Sequence, residues 1–406
     1  MSLKFFPYNP CSCNIDPFSV YVVTFKKEMN CMSNEKEYIR GLRDVAACET
    51  HISFVDPLGA LYYVGYDIDR LLGRVCYEEV IYLLLFRKLP DQIELEALRQ
   101  KLISEMKIPK QIIKCIKESP KNIHPMELLR TSISQLGQYD NDLNDFSEAS
   151  NINRALSLIA KVPTLVAAIY RIRHNKELIS PKNEYDFSEN FLYMFRGKTA
   201  NEVEKEAIER YMILHADHGL NASTFSARVS ASTLSDVYSA VTSAVGTLKG
   251  RLHGGASERV MNMLLNVDNL HDVDEYIQGM LFDGKKIMGF GHRIYVVTDP
   301  RSRHLRKISK ILCERINRME IYYKCRKIQT VVHNEKQIFP NVDFYAAVVL
   351  NAMGIPKEFF TLFFASSRIA GWVTHILEQY SDSVLLRPTS RYIGKYGTQY
   401  VTIDNR

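Results

Sequence analysis

From residue 77 onward the chain repeats one pattern: apolar residues at helical spacing, a stop, and a fresh start. The run Tyr77–Phe86 is stopped by Leu89-Pro90. Asp91 then reads as an N-cap, with Glu94 completing a capping box. A further helix follows Pro125 and ends at Gly137. Residues 151–173 form a long apolar helix whose axis Pro163 is expected to kink. A polar connection over 174–190 leads to an amphipathic helix over 203–214, and residues 300–330 are basic and helical. Strand signals are confined to residues 41–70, where Asp56-Pro57 and Gly59 mark a turn between two alternating runs. The pattern predicts a mostly all-α fold with a small N-terminal hairpin.

Leu220 to Leu248 is poor in bulky aliphatics. Ala222, Ser226 and Ser230 recur at i, i+4, as do Ala227 and Ala231, and Phe364–Trp372 has the same small-residue character. Such stripes let helix backbones approach closely, either across a dimer interface or within one subunit. The length of 406 residues allows one large or two medium domains, and 46% hydrophobic residues supply a sizeable core. The net charge of +6 is spread along the chain, which suits anionic substrates and does not indicate nucleic-acid binding. Of the eight cysteines only Cys11 and Cys13 are close, which argues against a zinc site or a disulfide framework and for a reducing, cytoplasmic setting. No uninterrupted apolar run reaches about 18 residues, so no membrane-spanning helix is expected. Residues 1–31 carry Pro7, Pro10, Pro17 and a β-like run, Ser19–Phe25, without the pattern of a signal peptide, and are expected as a poorly ordered extension. The tail from Arg387-Pro388 to Arg406 has no helical period and is expected on the surface or on a partner subunit.

Three blocks carry candidate chemistry. The first runs from His215 through Leu252-His253-Gly254-Gly255; glycines beside His253 let a ligand reach backbone N–H groups and the imidazole, or simply make a helix corner. The second, Gly289-Phe-Gly-His-Arg-Ile-Tyr, contains GxG without the strand–turn–helix of a dinucleotide site, so it reads as a turn presenting His292 and Arg293. Asp299-Pro-Arg301 nearby reads as a cluster member or a plain β-turn. In the third, Phe339-Pro-Asn-Val-Asp343, an apolar setting would raise the carboxyl toward the range of a carbon-acid base, but by residue type alone Asp343 reads as a helix N-cap. His215 and His218 stand at i, i+3 without an acidic partner at ligand spacing, so no metal site is expected. Arg368, inside an apolar run, requires a partner or an anion. With Arg301 and Arg387 it offers planar forks for a substrate with two carboxylates.

From about Gly41 to the C-terminus the chain resembles the citrate synthase family, closest to the short bacterial and archaeal type that includes 2-methylcitrate synthases. The motifs are those around His218, His253, His292, Asp343 and Arg368, with Gly41-Leu-Arg-Asp-Val, His124-Pro-Met and Arg387-Pro-Thr-Ser-Arg-Tyr-Ile-Gly. The resemblance implies a two-domain helical homodimer: a large domain over 32–253 and 346–406, and a small domain over 254–345 that closes on the substrates. It implies that Asp343 takes an α-proton from acetyl-CoA while His253 hydrogen-bonds the enol, and that His292 polarises the ketone of oxaloacetate. His218, Arg301 and Arg368 would hold oxaloacetate, with Arg387 reaching the partner subunit's site. No cofactor is implied, because the CoA thioester is a substrate. Lys249, Arg251, Lys285, Lys286 and Arg293 are candidates for the CoA phosphates by position.

Gly219 stands where an acid commonly follows the histidine, Arg251 replaces a usual proline, and Val296 a frequent basic residue; Ser257 and Val64 also depart. The expectation is citrate formation from acetyl-CoA. The alternatives are 2-methylcitrate formation from propionyl-CoA and a non-catalytic dimeric paralogue.

Overall fold

The computed structural model describes residues 38–406; the extension over 1–31 and its β-like run lie outside the described residues. Thr50–Arg387 forms one compact unit, and residues 38–49 and 388–406 lie outside it. Residues 254–345, expected as a smaller domain, lie within the first unit.

The hairpin stands where the turn residues put it. Strands β1 (Ser53–Asp56) and β2 (Ala60–Tyr63) pair antiparallel in the register Ser53↔Tyr63 and Asp56↔Ala60, and β3 (Tyr66–Asp67) adds to β2. Asp56 closes the turn twice: its carboxylate accepts the Leu58 N–H at 2.9 Å and its carbonyl the Gly59 N–H at 2.9 Å.

After α1 (Ile68–Leu71) and α2 (Tyr77–Phe86), helix α3 (Gln92–Glu105) opens on the expected Asp91/Glu94 capping box. Helices α4 (Lys110–Glu118) and α5 (Pro125–Leu136) follow, the latter with Pro125 in its first turn and the His124 imidazole as cap. Helix α6 (Glu148–Arg173) contains Pro163, yet its helical backbone is continuous. Burial of Ile159, Val162 and Pro163 among neighbouring helices offsets the bond the proline cannot donate. By length and composition α6 could cross a membrane, but 72% of its most apolar window is buried in protein, which marks a core helix.

Next come α7 (Phe187–Arg196), α8 (Glu202–His215), α9 (Ala222–Ala231), α10 (Val237–Leu248), α11 (Ala256–Leu265) and α12 (Val273–Phe282). The chain ends with α13 (Pro300–Arg315), α14 (Met319–Lys336), α15 (Val342–Ala352) and α16 (Phe360–Asp382). The small-residue stripe packs α9 against α10 within the subunit: Ala227 and Ala231 are buried, and the Ser226 and Ser243 hydroxyls lie 2.5 Å apart.

Every residue of α16 from Phe360 to Ile376 is buried, and the helix packs against α6, α8, α9 and α10. A helix buried on all sides is the axis of a layered α fold. The stretch from Pro388 is irregular apart from a 3-10 turn at Ile403–Asn405. It exposes Tyr392, Ile393, Tyr396 and Tyr400. Among the described residues no disulfide is formed.

Candidate active site

Helix α8 ends at His215, and the turn that follows carries Asp217 and His218 into the interior. His215 is a structural residue: its Nδ1 lies 2.8 Å from the Tyr211 carbonyl and its ring stacks on Tyr211. It does not pair with His218 as a metal site would require. His218 Nε2 lies 3.1 Å from the Tyr295 hydroxyl, and its ring centroid is 5.2 Å from that of His292. Burial, then the charge of Arg301, holds His218 well below the usual histidine range.

His292 and Asp343 are held together by backbone pairing of their two loops. Gly291 N–H donates to the Phe339 carbonyl and Asn341 N–H to the Gly289 carbonyl, each at 2.9 Å, around an isolated Phe290–Pro340 bridge. His292 Nδ1 accepts the amides of Ile294 at 3.0 Å and Tyr295 at 3.1 Å. The ring proton therefore lies on Nε2, which makes that edge a neutral donor. Burial, then Arg301, brings His292 down to about 4.

Asp299 is not a β-turn residue. It caps α13, grips Arg301 through two bonds of 3.0 and 2.8 Å, and accepts the Val342 N–H at the start of α15 at 3.0 Å. Burial disfavours the Arg301 charge, but Asp299 more than offsets this and holds Arg301 above its usual range.

Asp343 is not the N-cap of α15 either. Asn341 caps that helix, accepting the Asp343 N–H at 3.1 Å, and Asp343 sits in the first turn. Its Oδ1 is enclosed without a hydrogen-bond partner. Burial raises the carboxyl to about 7, against the pull of Arg301 and Arg368. Arg368, 1% exposed, donates its Nε to the His215 carbonyl at 2.6 Å and lies over the Phe364 ring, leaving Nη2 buried and unpartnered. Burial draws it down to about 10. An enclosed carboxylate oxygen and an enclosed guanidinium nitrogen, both unsatisfied, are costly unless a ligand completes them.

His253 occupies the corner between α10 and α11. The Ser223 amide, in the first turn of α9, donates to its Nε2 at 3.3 Å, and the Ser223 hydroxyl lies 2.8 Å from the same nitrogen. With Nε2 accepting, the ring proton lies on Nδ1. Burial, then Arg368, lowers His253 to about 4, so it too is a neutral donor.

Of the remaining candidates, Arg387 is exposed beyond the end of α16 and is not brought to this cluster. Lys249 pairs with Glu127 and Lys285 with Asp283, while Arg251, Lys286 and Arg293 are exposed. Sequence reasoning missed Tyr295, Asp217 and Ser223, which set the orientation of the histidines. Tyr295 lay inside a motif already noticed; Asp217 and Ser223 flank His218 and were legible only as neighbours. Gly219, where an acid is common, adopts φ +56°, a backbone that favours glycine, and its N–H donates to Asp217 at 3.1 Å. Elsewhere Cys76, Glu78 and Glu209 bring ligand-type atoms within 4.8 Å. There Glu78 caps the Phe187 N–H at 3.1 Å and faces Arg99, and Glu209 caps the Tyr77 N–H, as structural carboxylates do.

Residues 41–389 match the family model described as citrate synthase, C-terminal domain. Citrate synthase 2 of Bacillus subtilis is 45% identical over 368 residues, covering 90% of this chain and 99% of that protein. The citrate/2-methylcitrate synthase of the same organism is 39% identical over 371 residues, covering 91% and 100%. A citrate synthase from Thermoplasma acidophilum, solved as a ternary complex with carboxymethyl coenzyme A and oxaloacetate, superposes with a TM-score of 0.87 at 29% identity, covering 91% of this chain and 99% of that one.

Proposed function

The chain belongs to the citrate synthase family, and from that premise we propose that it condenses acetyl-CoA with oxaloacetate and hydrolyses the thioester to citrate and CoA. The observation that carries the reading is Asp343, a carboxyl with one oxygen enclosed and unpartnered, raised to about 7 by burial against the charges of the buried Arg301 and Arg368. A thioester α-proton is too weakly acidic for an ordinary carboxylate, so a base raised toward neutrality must act with a donor that stabilises the enolate as it forms.

In this reading Asp343 removes the α-proton while His253 Nδ1–H hydrogen-bonds the thioester oxygen. The resulting carbon nucleophile attacks the ketone of oxaloacetate, and His292 Nε2–H supplies the proton to the new alkoxide. His218, Arg301 and Arg368 hold the oxaloacetate carboxylates; the bare Nη2 of Arg368 is the fork edge a carboxylate would take. Water then cleaves the citryl thioester, and no resident cofactor is needed for these steps.

The reading extends to a homodimer in which Arg387 completes the partner subunit's site. It also has residues 254–345 closing over the substrates, which would exclude water from the enolate. A cytoplasmic setting belongs to the same reading. Lys249, Arg251, Lys285, Lys286 and Arg293 are its candidates for the CoA phosphates.

Because a citrate/2-methylcitrate synthase is among the relatives, propionyl-CoA is the competing substrate. One methylene changes pocket affinity by only ~1–3 kcal/mol. The test is CoA release with oxaloacetate, run in parallel with acetyl-CoA and propionyl-CoA. A larger kcat/KM for acetyl-CoA is expected; a preference for propionyl-CoA would reassign the substrate, and no release with either would end the reading.

A further inference from the structure

One stripe of α16 holds the turn after α8 residue by residue. Arg368 donates to the His215 carbonyl at 2.6 Å, Gly371 donates its N–H to the Ala216 carbonyl at 3.1 Å, and His375 Nε2 lies 3.3 Å from the Asp217 carboxylate. Positions 368, 371 and 375 follow one another at i, i+3 and i+7, the spacing of one helix face. Any Cβ at Gly371 would stand 2.4 Å from the Ala216 carbonyl and from Asp217 Oδ1, so the contact is backbone against backbone.

His375 is fully buried, and so is Asp217. The Arg228 guanidinium reaches His375 Nδ1 at 3.3 Å. A guanidinium can only donate, so Nδ1 accepts and the ring proton sits on Nε2, aimed at Asp217. Arg228 is itself held by Glu378 at 2.8 Å and Gln379 at 2.8 Å. The Asp217 oxygen that faces His375, Oδ2, also accepts the Ser53 hydroxyl and the Gly219 N–H at 3.1 Å, and that N–H is shared with Ser53 Oγ at 2.9 Å. Asp217 and Gly219 are the two chain neighbours of His218.

We propose that His375, its tautomer set by Arg228, is a positioning residue for oxaloacetate: it orients Asp217, whose carboxylate holds the peptide that follows His218. The inference rests on the assignment of His218 to oxaloacetate. Gly219 lacks the acidic side chain common at its position, and this buried chain places a carboxylate on the Gly219 amide from the other side of His218.

The test separates a positioning role from packing. In His375→Asn the amide oxygen replaces Nδ1 and still accepts from Arg228, but the donor to Asp217 is lost. In His375→Gln the terminal NH₂ overlays Nε2 and restores that donor. His375→Asn is expected to raise the oxaloacetate KM about tenfold, the scale of a sub-ångström misplacement, with kcat and the acetyl-CoA KM within about twofold. His375→Gln is expected to return within about threefold of wild type. Equal losses in both variants, or losses shared by kcat and the acetyl-CoA KM, would overturn the inference. If His375→Asn does not fold, Ser53→Ala decides, because it removes the half-buried hydroxyl that bridges Asp217 Oδ2 and the Gly219 N–H: about a threefold rise in the oxaloacetate KM supports the Asp217–Gly219 anchor of His218 and no change overturns it. Calorimetric titration with oxaloacetate reads the same variants without turnover. A wild-type protein that binds oxaloacetate but releases no CoA loses the proposed activity; weaker binding in His375→Asn still sustains the inference, and unchanged binding ends it.

Discussion

Two arginines, Arg368 on α16 and Arg228 on α9, are each 1% exposed. Around Arg228 the charges close on one another: Glu378, Gln379 and His375 take its donors. Around Arg368 they do not: one nitrogen holds a backbone carbonyl, another is enclosed and bare, and the carboxyl acting on it, Asp343, is bare on one oxygen as well. Burial alone therefore does not distinguish a structural charge from a working one. For these two arginines the difference lies in whether the partners are complete, because an unpartnered buried charge carries a desolvation cost that a ligand can offset.

The sharpest break of this contrast is at Asp343. Asp343→Ala is expected to lower turnover by about 10³ or more while oxaloacetate binding, followed by calorimetry, stays nearly intact. Loss of oxaloacetate binding instead would remove Asp343 from the role of base. Next come the arginines exchanged for leucine. Arg228→Leu takes the nearest cation from Glu378, which keeps the His51 amide and Arg87, and leaves Gln379 and His375 Nδ1 without their donor; it should cost about 1–3 kcal/mol in a denaturant titration. Arg368→Leu should leave Tm unchanged or higher while weakening oxaloacetate by about 100-fold, the worth of charge-assisted bonds. Equal destabilisation by both would erase the distinction.

The pH dependence is gentler. As the proposed base, Asp343 must be ionised to take a proton, so kcat/KM for acetyl-CoA should rise through an acid limb near the value of about 7 that burial gives it. The stability sign is opposite. The folded state holds this proton more tightly than the unfolded chain, so the contribution is complete below the ordinary aspartate range and is lost as pH rises through about 7. Asp343→Asn should therefore raise Tm by about a few degrees at pH 8, with the difference shrinking toward pH 4. The smallest effects belong to the candidate phosphate cations. Neutralising Lys286 or Arg293 singly should change the acetyl-CoA KM by about twofold to threefold, less at high salt.

What the chain betrays in advance depends on the reach of the interaction. The Asp91/Glu94 capping box, the Asp56–Gly59 turn and the stop at Gly137 are set within a few residues and were legible. The meeting of His218, His292 and Arg301 was expected from a resemblance, not from spacing. Asp343 was misread as a cap because Asn341, two residues earlier, is an equally good one, and only the backbone shows which side chain turns inward. The pairing of Asp217 with His375 spans 158 residues and depends on how α16 crosses the turn, which no local pattern encodes.

The close approach at Gly371 has a consequence for evolution of the site. Where two main chains touch, no exchange of side chains can loosen or tighten the fit by small steps. On the proposed roles, a lineage could adjust the surroundings of Asp343 through ordinary substitutions. The spacing between α16 and the His218 turn changes only if a main chain shifts, so in those roles the thioester side is freer to change than the keto-acid side.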